Sequence, residues 1–222
     1  MLSGVSIILY VFFPLISWHI YFAPAFADQQ ISAPIPKNRI VSNSTVTVQS
    51  LVNGASNSIA GIDYTNALNW FPNYKYKQQS DEEIKVKFYT ISIPAIKIKN
   101  AKVSTTNVDL VNNLVNYGGT AIPFNKGNAV VFGHSTLPQL FNEKDYKTMF
   151  TNLYKLEPGD EIFVTVDKKT YTYKIESVTV VDPENTTVLE QNYEDSFLTL
   201  VTCTPPGTIW KRLIVKSRIQ KV

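Results

Sequence analysis

The chain has 222 residues, 44% of them apolar, with twelve Tyr and twelve Phe. That is enough for one good core, and the aromatic and β-branched content leans toward β structure. The formal charge of +3 is spread over scattered lysines, which argues against a nucleic-acid partner, and a single cysteine excludes an internal disulfide.

Val5 to Ala27 contains no Asp, Glu, Lys or Arg. As a helix, about 22 residues would span roughly 33 Å, close to the hydrocarbon thickness of a bilayer. Trp18, His19 and Tyr21 would sit toward one interface, and a membrane-embedded helix tolerates the kink at Pro14. Ala25-Phe-Ala27 before Asp28 also fits a signal-peptidase site. The first basic residues, Lys37 and Arg39, follow the apolar run, against the positive-inside rule, so we expect the true N-terminus to lie upstream. We expect residues 1–27 to be a retained anchor or uncleaved signal. Retained or cleaved, the segment puts residue 28 onward outside the cytoplasm; retained, it makes a single-pass protein of the cell membrane.

Residues 28–85 are rich in Asn, Ser and Gln and read as an extracytoplasmic spacer. The exception is Ala67-Leu-Asn-Trp-Phe-Pro-Asn-Tyr74, read as a short segment packing on the following domain.

From residue 86 to 222 the chain reads as one domain. Phe88–Ile93 is a strand ended by Pro94, with a second short one over Ile96–Ile98. Thr106-Asn107 is expected to cap a helix carrying Val108, Val111 and Val115 on one face and stopped by Gly118-Gly119. Asn128-Ala-Val-Val-Phe132 is a short buried strand that leaves through Gly133. Phe141 to Leu156 reads as helical, with Phe150 and Leu153 on one side. Glu161–Val166 and Thr170–Val181 alternate apolar and polar residues around an Asp167-Lys-Lys turn. Asp182 to Asp195 is a long polar loop before the last two strands. Short strands without a βαβ rhythm imply a mainly β, mostly antiparallel barrel or sandwich.

The chemistry lies at strand ends. Cys203 closes an apolar strand just before Pro205 and Pro206, and Arg212 opens the next. Antiparallel pairing of the two would set Cys203 and Arg212 on one face, where the cation favours the thiolate and can donate to an oxyanion. His134 also sits where a strand runs out, well situated as a general acid/base. Against this, a lone cysteine is most often a small buried hydrophobe and a lone histidine is usually structural. His134 and Cys203 lack the spaced partners of a metal site, and Gly118-Gly119 is too short for a phosphate cradle.

Thr199-Leu-Val-Thr-Cys203, followed by Arg212, resembles the signature of the sortases, cysteine transpeptidases of the bacterial cell surface. Gly127-Asn-Ala-Val-Val-Phe-Gly-His134-Ser resembles their histidine motif, and Ile91-Ser-Ile-Pro-Ala-Ile-Lys-Ile resembles the opening of their catalytic domain. Tyr117-Gly-Gly-Thr-Ala and Leu156-Glu-Pro-Gly-Asp160 also match, in family order, so the likeness covers about residues 86 to 218. The resemblance implies an eight-stranded β-barrel with short helices. It implies Cys203 as nucleophile, His134 as acid/base and Arg212 as oxyanion donor, with Thr202 as oxyanion or substrate support. The implied substrates are secreted proteins with an LPXTG-like C-terminal sorting signal. The acceptor would be an amine of peptidoglycan or of a protein lysine. No cofactor is implied, although some sortases hold calcium, for which the acidic residues between Asp182 and Asp195 are the candidates.

The resemblance fixes no class, with classes C, D and E nearest. No second hydrophobic segment follows the domain, which speaks against the C-terminally anchored type. The acidic-Pro-aromatic motif of the lidded, pilus-building class is missing, so Trp70 and Phe71 are not assigned to a lid. Two other readings stay open: a surface cysteine peptidase, and a membrane-tethered β-barrel that only binds.

Overall fold

The computed structural model describes residues 58–59, 62–74 and 86–220. The expected anchor and most of the expected spacer lie outside these residues. No helix among the described residues is long and apolar enough to cross a membrane.

Two short strands, β1 (Ser58–Ile59) and β2 (Ile62–Asp63), pair with each other. Eight strands form a closed barrel: β3 (Phe88–Ile93), β4 (Ile98–Ser104), β5 (Leu114–Asn116), β6 (Gly127–Phe132), β7 (Glu161–Val166), β8 (Lys169–Val181), β9 (Ser196–Thr204) and β10 (Lys211–Ile219). Around the barrel the order is β10, β8, β7, β3, β4, β5, β6, β9. Six of the eight junctions are antiparallel, and β4–β5 and β6–β9 are parallel.

The expected helices are not there. Residues 105–113 form a loop and Val115 lies in β5. The loop's polar side chains bind nearby backbone in place of a helical ladder: Asn107 N–H donates to Ser104 Oγ (3.3 Å) and Val111 N–H to Asp109 Oδ1 (2.8 Å). Three β-branched valines add little helix propensity to set against that. Residues 141–156 are likewise a run of turns ending in a 3₁₀ turn at Leu153–Lys155. Thr148 Oγ1 donates to Asn142 O and Asp145 O, and Lys147 N–H donates to Asp145 Oδ1. The strand expected at Ile96–Ile98 begins only at Ile98, because Pro94–Ile96 is a 3₁₀ turn and Lys97 has φ 62°.

Two cores share the barrel wall. Inside lie Ile91, Val103, Ala129, Val131, Val164, Leu198, Leu200, Leu213 and Val215. On the outer face of β5, β6, β9 and β10 lies a second cluster with Tyr117, Val130, Phe132, Val201, Cys203 and Ile214. Ala67, Trp70 and Phe71 cover that face, and all three are fully buried. The segment read as packing on the domain does so. Its backbone is tied to the 105–113 loop by Ala67 N–H to Val108 O and Leu110 N–H to Thr65 O, both 2.9 Å.

The β7–β8 hairpin turns through Asp167 (φ 46°) and Lys168 (φ 68°), two side-chain-bearing residues in the left-handed region. Such a turn favours Asn-Gly. Asp167→Asn combined with Lys168→Gly should raise the unfolding free energy by about 1 kcal/mol, read as a higher urea midpoint at unchanged slope.

Candidate active site

Strand polarity brings the three chemical residues to one rim. β6 and β9 run parallel, with Phe132 level with Val201. Two residues further along each strand, that register sets His134 beside Cys203. β10 runs back antiparallel, with Arg212 directly opposite Cys203. Two strand ends and one strand start therefore meet. Past Phe132 the pairing continues through Gly133 N–H to Val201 O at 3.2 Å and Thr202 Oγ–H to Gly133 O at 2.7 Å. Thr202 lies on the opposite face of β9 from Cys203, 2% exposed, so its hydroxyl proton is used on the histidine strand. A Cβ on Gly133 would meet Leu114 at 2.5 Å and the Phe150 ring at 2.6 Å, so only glycine lets the chain leave the barrel here.

Arg212 is 1% exposed. Its Nε and Nη2 donate to Trp70 O at 3.3 and 3.0 Å, and its Nη1 donates to Ile209 O at 2.9 Å and Lys211 O at 3.2 Å. The guanidinium lies 5.4 Å from the centre of the Trp70 ring, and that ring lies 5.7 Å from the His134 ring. A backbone carbonyl of the covering segment thus accepts two of the guanidinium's hydrogen bonds. Sequence reading missed this because a carbonyl has no residue signature. The signal was the Trp70-Phe71 pair in an otherwise polar stretch.

Burial also sets the electrostatics. Cys203 is 5% exposed, and burial pushes its thiol pKa up, with nearby Arg212 only partly opposing. The expected thiolate is therefore not favoured in this covered arrangement, because loss of water outweighs the nearby cation. His134 is likewise lowered to about 4 by burial, with Lys147 adding to the effect and Asp109, Asp63 and Asp145 opposing it. With the cover on, thiol and imidazole are both neutral near pH 7.

The loop between β8 and β9 carries the acidic residues considered for calcium. Asp182 pairs with Lys211 at 3.3 Å, and Asp195 Oδ1 accepts from Ser196 N–H. No three His, Cys, Asp or Glu converge as ligands among the described residues. Side-chain amides order the loop instead. Asn128 N–H donates to Gln191 Oε1 and Gln191 Nε2 donates back to Asn128 O, both at 3.0 Å. Asn128 Nδ2 also donates to Val188 O at 3.0 Å.

Two outcomes follow from this geometry. Cys203 in the full chain should alkylate slowly at neutral pH, and Trp70→Ala should speed it about a hundredfold, since truncating a buried Trp costs about 3 kcal/mol or more. The second concerns acid. His134 binds its proton less well folded than unfolded, so stability present above pH 6.5 is lost as pH falls toward 4. By pH 4.5 the loss from this group should reach about 2 kcal/mol, and His134→Gln should remove that part of the fall in urea midpoint.

Comparison with known proteins agrees with this barrel. A Sortase A of Streptococcus agalactiae is 36% identical over 75 residues, 34% of this chain and 30% of the relative. A Sortase D of Bacillus subtilis is 26% identical over 132 residues, 58% of this chain and 61% of the relative. This chain therefore spans less than two thirds of the length of either. Among solved structures, a sortase D-type transpeptidase of Clostridium perfringens superposes with a TM-score of 0.52 at 32% identity, covering 63% of this chain and 84% of the other. A pilus-related Sortase C of Group B Streptococcus gives 0.54 at 27% identity, covering 68% and 78%. The relatives carry the names of several classes and single out none. The sortase domain itself matches residues 91–220, from the first barrel strand to the last, and the chain belongs to the sortase family.

Proposed function

We propose that the chain is a cysteine transpeptidase that cleaves an LPXTG-like sorting motif on secreted proteins and joins the acyl group to an amine. The observation that carries this reading is the meeting of His134, Cys203 and Arg212 at the ends of three adjacent strands. Once uncovered, Cys203 passes its thiol proton to His134, and the thiolate attacks the backbone carbonyl of the motif. Arg212 donates to the tetrahedral oxyanion, a kind of contact worth roughly 3 kcal/mol in the transition state. His134 gives a proton to the leaving amine, the thioester forms, and His134 then takes a proton from the incoming amine that resolves it. Thr202 supports the site by tying the histidine strand to the cysteine strand.

The covering segment must leave before any of this happens. Trp70 O already occupies Arg212, and Cys203 is almost wholly buried beneath the second cluster. Its departure readmits water, relieves the desolvation that holds both groups neutral, and frees the guanidinium. The acceptor amine is a peptidoglycan cross-bridge or a lysine of another protein. In this reading residues 1–27 anchor the chain in the cell membrane, residues 28–85 space it outward, and residues 86–222 work outside the cytoplasm.

Mass spectrometry of the full chain with an LPXTG-type peptide library and a short amine tests the proposal. The expected result is a thioester on Cys203, absent in Cys203→Ala, together with amine-ligated peptide. Cleaved peptide without ligation would make the chain a peptidase. No adduct from any peptide, even in Trp70→Ala, would leave only a binding module.

A further inference from the structure

The short stretch around His134 is fixed from both sides. Toward β9, Gly133 O accepts from Thr202 Oγ1, and Ser135 Oγ donates to Cys203 O at 2.7 Å. On the other side, Phe150 N–H donates to His134 O at 2.9 Å, and Thr136 N–H donates to Thr151 Oγ1 at 2.9 Å. The residues on either side of the histidine are thus bonded to the cysteine and its preceding neighbour. The backbone ladder between β6 and β9 ends before His134, and two side-chain hydroxyls carry the pairing past it.

These two hydroxyls do different work. The Thr202 bond is buried and joins strand to strand. The Ser135 bond is partly exposed and is the one that reaches the backbone of the nucleophile itself. Nothing in the composition of His134-Ser-Thr marks this serine as more than a turn residue. From this geometry we infer that Ser135 is a positioning residue: its hydroxyl holds the carbonyl of Cys203 and so keeps the imidazole of His134 in register with the thiol. The inference rests on the transpeptidase reading for its catalytic meaning and on the hydrogen bond alone for its structural content. Ser135 touches neither the sulfur nor the scissile bond; it acts through its two neighbours. Misplacing a reacting group by about 1 Å costs about a hundredfold in rate, and losing one of the several tethers on this stretch should cost less.

The test compares wild type, Ser135→Ala and Ser135→Thr as full chains in detergent. The probes are an LPXTG-type peptide with a short amine, and histidine ¹³C NMR, simple here because the chain has two histidines. Ser135→Ala should lower kcat about tenfold with KM within about twofold, and Ser135→Thr should restore it. The His134 ring signal, single in wild type, should broaden or split in the alanine variant while the thermal midpoint holds. The inference is overturned if the alanine variant matches wild type in both kcat and His134 signal. It is equally overturned if kcat, KM and thermal midpoint all fall together and threonine does not rescue. If neither wild type nor Trp70→Ala turns over any peptide, the transpeptidase reading fails, and the His134 signal alone decides whether Ser135 holds the imidazole.

Discussion

The parallel pairing of β6 with β9 is the constraint on which the rest depends. Two parallel neighbours end at the same rim, and a third strand antiparallel to one of them begins there. Given that polarity, His134, Cys203 and Arg212 converge without any special loop. Pairing of the opposite sense would leave His134 at the far end of the barrel from the thiol. Parallel partners need a long connection, and here β7, β8 and the polar loop supply it. The connection is part of the barrel wall as well as a link.

The second constraint is the treatment of charge under the cover. A buried guanidinium without partners would be ruinous, and Arg212 meets three backbone carbonyls. One of them belongs to the covering segment, so the arginine helps hold that segment in place. What the guanidinium meets from the cover is a neutral dipole, the carbonyl of Trp70.

Much of this was legible in the sequence where local chemistry decides. Pro205 and Pro206 mark the end of β9, and the opposition of Cys203 and Arg212 follows from a hairpin register. Asp167-Lys168 announces its turn. The helices expected at 106–117 and 141–156 do not form because Asn, Asp and Thr side chains satisfy the backbone locally, which apolar spacing does not reveal. The β6–β9 junction was out of reach, since pairing across some seventy residues leaves no local trace. The cover was half visible. Ala129 to Phe132 and the pair Leu200-Val201 are apolar on both faces, which requires a layer on each side of the wall.

That two-sided burial bears on how the protein survives when idle. With the segment lifted, Tyr117, Phe132, Val201 and Ile214 would form a continuous oily strip on the outer wall. Exposed strips of this kind drive self-association. The resting segment therefore does for colloidal behaviour what a shipping cap does for an adhesive surface. Any change that removes the segment from this face leaves the strip facing solvent.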